Sequence, residues 1–259
     1  MTELDLAYAA MQAGDAAAGL RFYRVLADAT LFLLLEREAE AESIDPRVFD
    51  LADGPVLLAF DLEERLALMG EGPLPYAALP GRIIAQQMVG QGLSLGLNFG
   101  CNAASEVMLG PDELQWLCEM LEASPEVVQA VPVQFFASHG LPEVLSEALT
   151  RTLQGAAGLA SAALLAGVIY SDGRRGHMLA VIDALPEAEA ALARAMGEAL
   201  RFSGIEAGAL DVCFMAGSDA ALVRMAAVAH VFDVPERVVE EQVSRPAPGM
   251  DQGKPPILR

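Results

Sequence analysis

The densest run of small polar side chains in this 259-residue chain is Asn98-Phe-Gly-Cys-Asn-Ala-Ala-Ser-Glu106. Asn98, Gly100, Cys101, Asn102, Ser105 and Glu106 could line a pocket for a small polar ligand such as an amino acid, and Cys101 could serve there as a nucleophile. A reactive thiol needs its pKa lowered by a base, a cation or a helix N-terminus. No His or Lys stands near Cys101 in sequence. Asn and Gly are also the residues that tolerate positive φ, so a strand-to-strand turn is the competing reading.

The remaining chemistry-bearing residues are scattered. Gly90-Gln-Gly92 has the glycine spacing of a phosphate loop, but it ends a helical pattern and enters a strand pattern. The helix N-terminus that would hold a phosphate is missing there. His139, His177 and His230 lack metal-ligand spacing. Cys101, Cys118 and Cys213 form no CxxC pair and read as reduced thiols. The carboxylates of Glu38, Glu40 and Glu42 alternate with alanine in one acid-rich stretch. Acid–base catalysis needs environments that separate two pKa values, and such a stretch offers both groups the same one. No hydrolase, metalloprotease or nucleotide-binding motif is present, and neither a cofactor nor a metal is expected. Arg174 and Arg175, at a predicted hairpin tip, are the basic residues placed to meet a partner.

Sixteen basic residues face thirty-six acidic ones, for a formal charge of −20, and Lys254 is the only lysine. Such a chain repels phosphate backbones, so nucleic-acid binding is not expected. The acidity suits solubility or a basic protein partner. The first residues lack a signal-peptide pattern, which together with the free thiols predicts a cytoplasmic protein. Residues 153–170 are free of charge, yet glycines and polar groups dilute a stretch already short for a membrane span. A hairpin that continues through Ser-Asp-Gly-Arg-Arg-Gly is expected there, with no membrane contact.

Apolar spacing predicts two short helices over residues 4–29, broken at Gly14-Asp15, then a buried strand over 30–35. A hairpin follows, with strands 48–51 and 56–60 around Asp53-Gly54. Asp61 with Glu64 predicts a capping box for the next helix. A short strand is read at 76–79 and a helix from Pro80 to Val89. Strands at 93–98 and 105–109 and a helix over 111–121 complete the first half. After a hinge at 122–132 the pattern restarts: strand 133–137, helix 142–153, hairpin strands 162–170 and 177–185, helix 186–202, strand 210–215 and a closing helix 218–232. The fold class is α+β in two domains, residues 1–123 with a mixed sheet and residues 131–244. The order β-α-β-β-α-β in the second predicts a ferredoxin-like plan with an added helix. Residues 245–259, with four prolines and two glycines, read as a flexible tail.

The runs "GPVLLAFDLEERLALM", "LPGRIIAQQMVGQGLSLGLNFG", "SEVMLGPDELQWLCEML" and "LRFYRVLADATLFLLL" resemble the N-terminal domain of the SseB (enhanced serine sensitivity) family. Asn98-Phe99-Gly100 stands where that family commonly has Asn-Pro-Gly, and Cys101 to Ala104 reads as an insertion. The second half resembles the family's C-terminal domain in order of elements only. The resemblance implies a bacterial, cytosolic protein with paired α+β domains, and it carries over no catalytic residues. The leading reading is a non-enzymatic protein-interaction or regulatory module. The alternative is a small-molecule (amino-acid-like) binder or an unrecognised enzyme that uses the 98–106 loop or the interdomain cleft. The apolar closing helix and a mean hydropathy of +0.37 further predict a homodimer.

Overall fold

The computed structural model describes residues 1–236 except 15, 40–42, 123–129, 139–141 and 205–209. The hinge expected at 122–132, His139, the Glu40 and Glu42 carboxylates and the 245–259 tail therefore fall wholly or largely outside the described residues.

Thr2 starts the first helix, α1 (Glu3–Gln12), with a capping box: its hydroxyl accepts from the Asp5 N–H, and the Asp5 carboxylate accepts from the Thr2 N–H. Gly14 at φ +92 breaks the helix, and α2 (Ala16–Asp28) follows. Six strands form the first sheet: β1 (Thr30–Leu34), β2 (Val48–Leu51), β3 (Gly54–Phe60), β4 (Tyr76–Pro80), β5 (Ser94–Leu97) and β6 (Val107–Leu109). Their order is β4-β1-β3-β5-β6, with β2 hairpinned onto β3. Only the β3–β5 pair is parallel, so this sheet is mixed, as expected. Helices α1, α2, α4 (Gly81–Met88) and α5 (Pro111–Glu122) cover one face around Phe22, Leu26, Ile84, Leu95 and Leu114. The single turn of α3 (Glu63–Leu66) places Leu66 against Leu34, Val56, Leu58 and Phe60 on the other face.

The expected Asp61–Glu64 capping box does not form. Leu62 is the N-cap and makes no side-chain cap. Arg65, one turn on, takes the Asp61 carboxylate instead. The other Asp61 oxygen accepts from the Thr2 hydroxyl, so both oxygens are engaged away from the start of α3.

The second sheet contains β7 (Pro132–Phe136), β8 (Ala162–Tyr170), β9 (Arg175–Ile182), β10 (Leu210–Met215) and β11 (His230–Asp233). Its helices are α6 (Glu143–Gln154), α7 (Glu189–Phe202) and α8 (Ala220–Ala226). The chain is thus α+β in two parts. The element order β-α-β-β-α-β is present, but the ferredoxin-like strand arrangement is not. That plan would leave β8 at an edge, in an antiparallel sheet. Instead β8 is central, pairing with β9 on one side and with β7 and β11 end to end on the other, and β10 runs parallel to β9. A parallel neighbour needs a crossover, and α7 supplies it. The strand AALLAGVIY carries no charge and is buried along nearly its whole length, which suits an interior strand.

The closing helix predicted over 218–232 is also corrected. It ends at Ala226, and Val231 and Phe232 lie on β11. Strand β7 pairs only with the 167–170 end of β8, which leaves ladder groups at 162–165 to be satisfied. A Val-Phe segment suits a pleated strand better than another helical turn. The uncharged 153–170 stretch runs from the end of α6 through a loop into β8, and among the described residues no helix is long and apolar enough to cross a membrane.

The two halves touch. Helix α7 packs on α2 and α5, and its last residue, Phe202, sits in the core of the first half.

Candidate functional site

The 98–106 loop leaves β5 at the base of the first sheet. Asn98, Gly100 and Asn102 all sit at positive φ, so the chain reverses with residues that accept that geometry. Glu106 closes the loop by accepting from the Gly100 N–H at 3.1 Å and the Asn102 N–H at 3.0 Å. The six residues singled out from sequence do meet, although they meet by bonding to each other and to the chain behind them.

Asn98 and Ser105 are fully buried. The Asn98 side-chain carbonyl accepts from the Asp61 N–H at 3.1 Å, and its NH2 donates to Ser105 Oγ at 2.8 Å. Ser105 Oγ donates in turn to Asp5 Oδ1 at 2.6 Å, and the Ser105 N–H reaches the same oxygen at 3.1 Å. Arg65 completes the cluster. Its guanidinium donates to both Asp5 oxygens, at 3.2 and 2.6 Å, and to Asp61 at 2.7 Å. Thr2 Oγ1 bridges to the second Asp61 oxygen at 2.5 Å. Burial alone would raise the Asp5 pKa, but hydrogen bonds from Arg65, Ser105 and Thr2 outweigh it and hold the carboxyl far below the usual carboxylate range. Arg65 is pushed the other way, chiefly by its bond to Asp5.

Thr2, Asp5, Asp61 and Arg65 were not legible as members of this site. They come from the start of α1 and from the β3–α3 junction, and the only local signals were two capping patterns. The cluster ties three distant segments together: the N-terminus, the β3 exit and the β5–β6 loop.

The Cys101 thiol lies against this cluster, 3.4 Å from the Arg65 carbonyl oxygen. Burial raises its pKa, Glu106 and Asp61 add to the rise, and Arg65 only partly opposes it. Cys213, on β10, is pushed up to about 12, mostly by burial. Both thiols are held protonated, the opposite of what a nucleophile needs. Cys101→Ser is therefore expected to leave the fold unchanged. Alkylation of Cys101 at pH 7.5 should run more slowly than that of a free thiol, whose pKa is about 8.5. Mass-resolved labelling with iodoacetamide checks this, and labelling faster than that of free cysteine would revive the nucleophile.

Arg174 and Arg175 lie back on the second sheet. Arg174 donates to Asp211 at 3.0 Å and stacks 4.2 Å over the Tyr170 ring, while Arg175 sits 5.9 Å over Phe136. His177 and His230 occupy different strands, and among the described residues no group of His, Cys, Asp or Glu is arranged to hold a metal.

The model of the SseB protein N-terminal domain matches residues 4–116. These residues are similar to the SseB N-terminal domain. The match runs from α1 into α5 and takes in all six strands of the first sheet. It also contains Asp5, Asp61, Arg65, Asn98 and Ser105, so the buried cluster falls within the matched stretch except for Thr2. The second sheet lies beyond the match. No curated protein and no solved structure was found to match the chain.

Proposed function

We propose that the protein is a non-enzymatic interaction module of SseB type that meets protein partners through the outer elements of its second sheet. The observation that carries this reading is a set of exposed valines. Val131 (66 % exposed) and Val133 (56 %) lie at β7, Val223 (75 %) on α8 and Val231 (53 %) on β11. Strands β7 and β11 share one edge of β8, and α8 packs over β7 and β8. Large exposed apolar side chains gathered on neighbouring elements mark contact surfaces more often than chance exposure does. The −20 charge favours a partner with a basic rim. The rival reading, a polar ligand at the 98–106 loop, is weakened because Asn98, Ser105 and Glu106 already bond within the protein.

Capture from a bacterial extract, run with the parent chain and with a Val223→Glu, Val231→Glu variant, tests the reading. A reproducible partner should appear with the parent and fall at least about tenfold with the variant, because two charges would enter a desolvated contact. A second copy of the chain counts as such a partner, read as a dimer mass by light scattering that reverts to monomer in the variant. Equal capture by both chains would overturn the assignment of the surface.

A further inference from the structure

The protein is strongly acidic, yet four of its sixteen basic residues gather where the two halves meet. Arg24 from α2 and Arg82 from α4 face Arg151 from α6 and Arg194 from α7 around a cavity of about 350 Å³. Asp28, Glu198 and Thr152 provide the rest of its polar lining. A neighbouring cavity of about 250 Å³ shares Arg24, Asp28 and Arg151.

The two carboxylates do not answer all four guanidiniums. Arg82 holds Asp28 and Glu198 together, with its NH groups 3.3 and 3.4 Å from the Glu198 oxygens. Arg24 is only 9 % exposed. Its Nη2 donates to Thr152 Oγ1 at 2.6 Å, its Nε lies 3.8 Å from Asp28, and its Nη1 is buried without a hydrogen-bond partner. Arg151 reaches Glu3 at 3.6 Å, and Arg194 has no ion-pair partner among the described residues. Burial pushes the Arg24 pKa down, Asp28 and Glu198 oppose that, and the charges of Arg151 and Arg82 add to the fall. A guanidinium nonetheless stays charged in a protein, so the buried donor carries an unmet demand for an acceptor.

We propose that this cavity binds a small phosphate-bearing anion, with the phosphoryl oxygens taken by Arg24, Arg151 and Arg194 while Asp28 and Glu198 hold Arg82 in place. Four guanidiniums face two lining carboxylates, with Glu3 reaching Arg151 from the neighbouring cavity, so a net positive charge remains, and a phosphate monoester brings more negative charge and more acceptor oxygens to it than a lone carboxylate does. Planar guanidinium forks also match phosphate geometry. The cavity is at the small end of ligand pockets, enough for a phosphate with a short organic body. Its lining comes from both halves, so the ligand clasps them together and stabilises the native state by mass action.

Titration calorimetry and thermal unfolding of the full chain with inorganic phosphate test this, with sodium acetate as the singly charged control and ionic strength held by chloride. Phosphate should bind saturably and raise Tm, and acetate should bind at least about tenfold more weakly. Arg151→Ala and Arg194→Ala are each expected to weaken phosphate about tenfold or more, the effect of one lost charge-assisted bond. Arg194 is exposed, so its variant keeps the test valid even if Arg151→Ala folds poorly. No saturable phosphate binding, equal binding of acetate, or unchanged affinity in the Arg194 variant would each overturn the site.

Discussion

Arg65→Ala is expected to remove about 3–5 kcal/mol of stability, the range seen when one partner of a buried ion pair is deleted. Asp5 is 2 % exposed and its two oxygens accept from Arg65, Ser105 and Thr2. Without Arg65, the Asp5 and Asp61 carboxylates stay close together, linked through Thr2, with no cation between them. Urea unfolding at pH 7 measures the loss, and a change under about 1 kcal/mol would show that the cluster does not hold the first half together. The same variant has a signature in acid. The folded-state pKa of Asp5 lies below its unfolded value of about 3.9, so its contribution is complete well above 3.9 and is lost as pH falls from there towards the folded-state pKa. Removing Arg65 removes the largest effect holding that pKa down, so the acid-unfolding midpoint should move to higher pH. Asp5→Asn should instead flatten the acid limb, because no carboxylate remains to be protonated.

Gly81→Ala is the second large effect, expected to cost about 3 kcal/mol or more. In an ordinary helix this change would help by about 1 kcal/mol. Here a Cβ at Gly81 would fall on the carbonyl oxygen of Leu26, far inside van der Waals contact. That oxygen is backbone in the fully buried part of α2 and cannot swing aside. Gly81 cannot retreat either, because its own N–H donates to the Ala29 carbonyl at 2.9 Å. The backbone of Gly81 is not at positive φ, so close approach alone imposes glycine. Gly72→Ala is the control: nothing lies within 4 Å of its Cβ position and its φ is not positive, so thermal unfolding should show almost no change. A near-neutral Gly81→Ala would contradict the α2–α4 packing.

Capping, turn chemistry and apolar period act over a few residues, so the place and type of most elements can be read from local residues alone. The break at Gly14, the strand at 30–34, the β2–β3 reversal and the helix opened by Pro111 were all legible for that reason. The first half's kinship with the SseB domain was legible too, carried by contiguous runs such as "PVLLAFDLEERLALM". Tertiary structure decided which partners each segment meets. A single order of elements is compatible with β8 at an edge or at the centre, and only the pairing of distant ladder groups selects the second. That same pairing turned the end of the predicted closing helix into β11. The side-chain clusters obey the same limit. Asp61 looked like a cap because its neighbours are nearby in sequence, yet the charge that claims it belongs to a network reaching back about 60 residues to Asp5. The four arginines of the cavity span more than 160 positions, and no local rule could bring them together. Local preferences extend over one turn of helix or one tight reversal. The energies that choose between topologies come from burial and long-range charge pairing, which exist only once the chain has closed on itself.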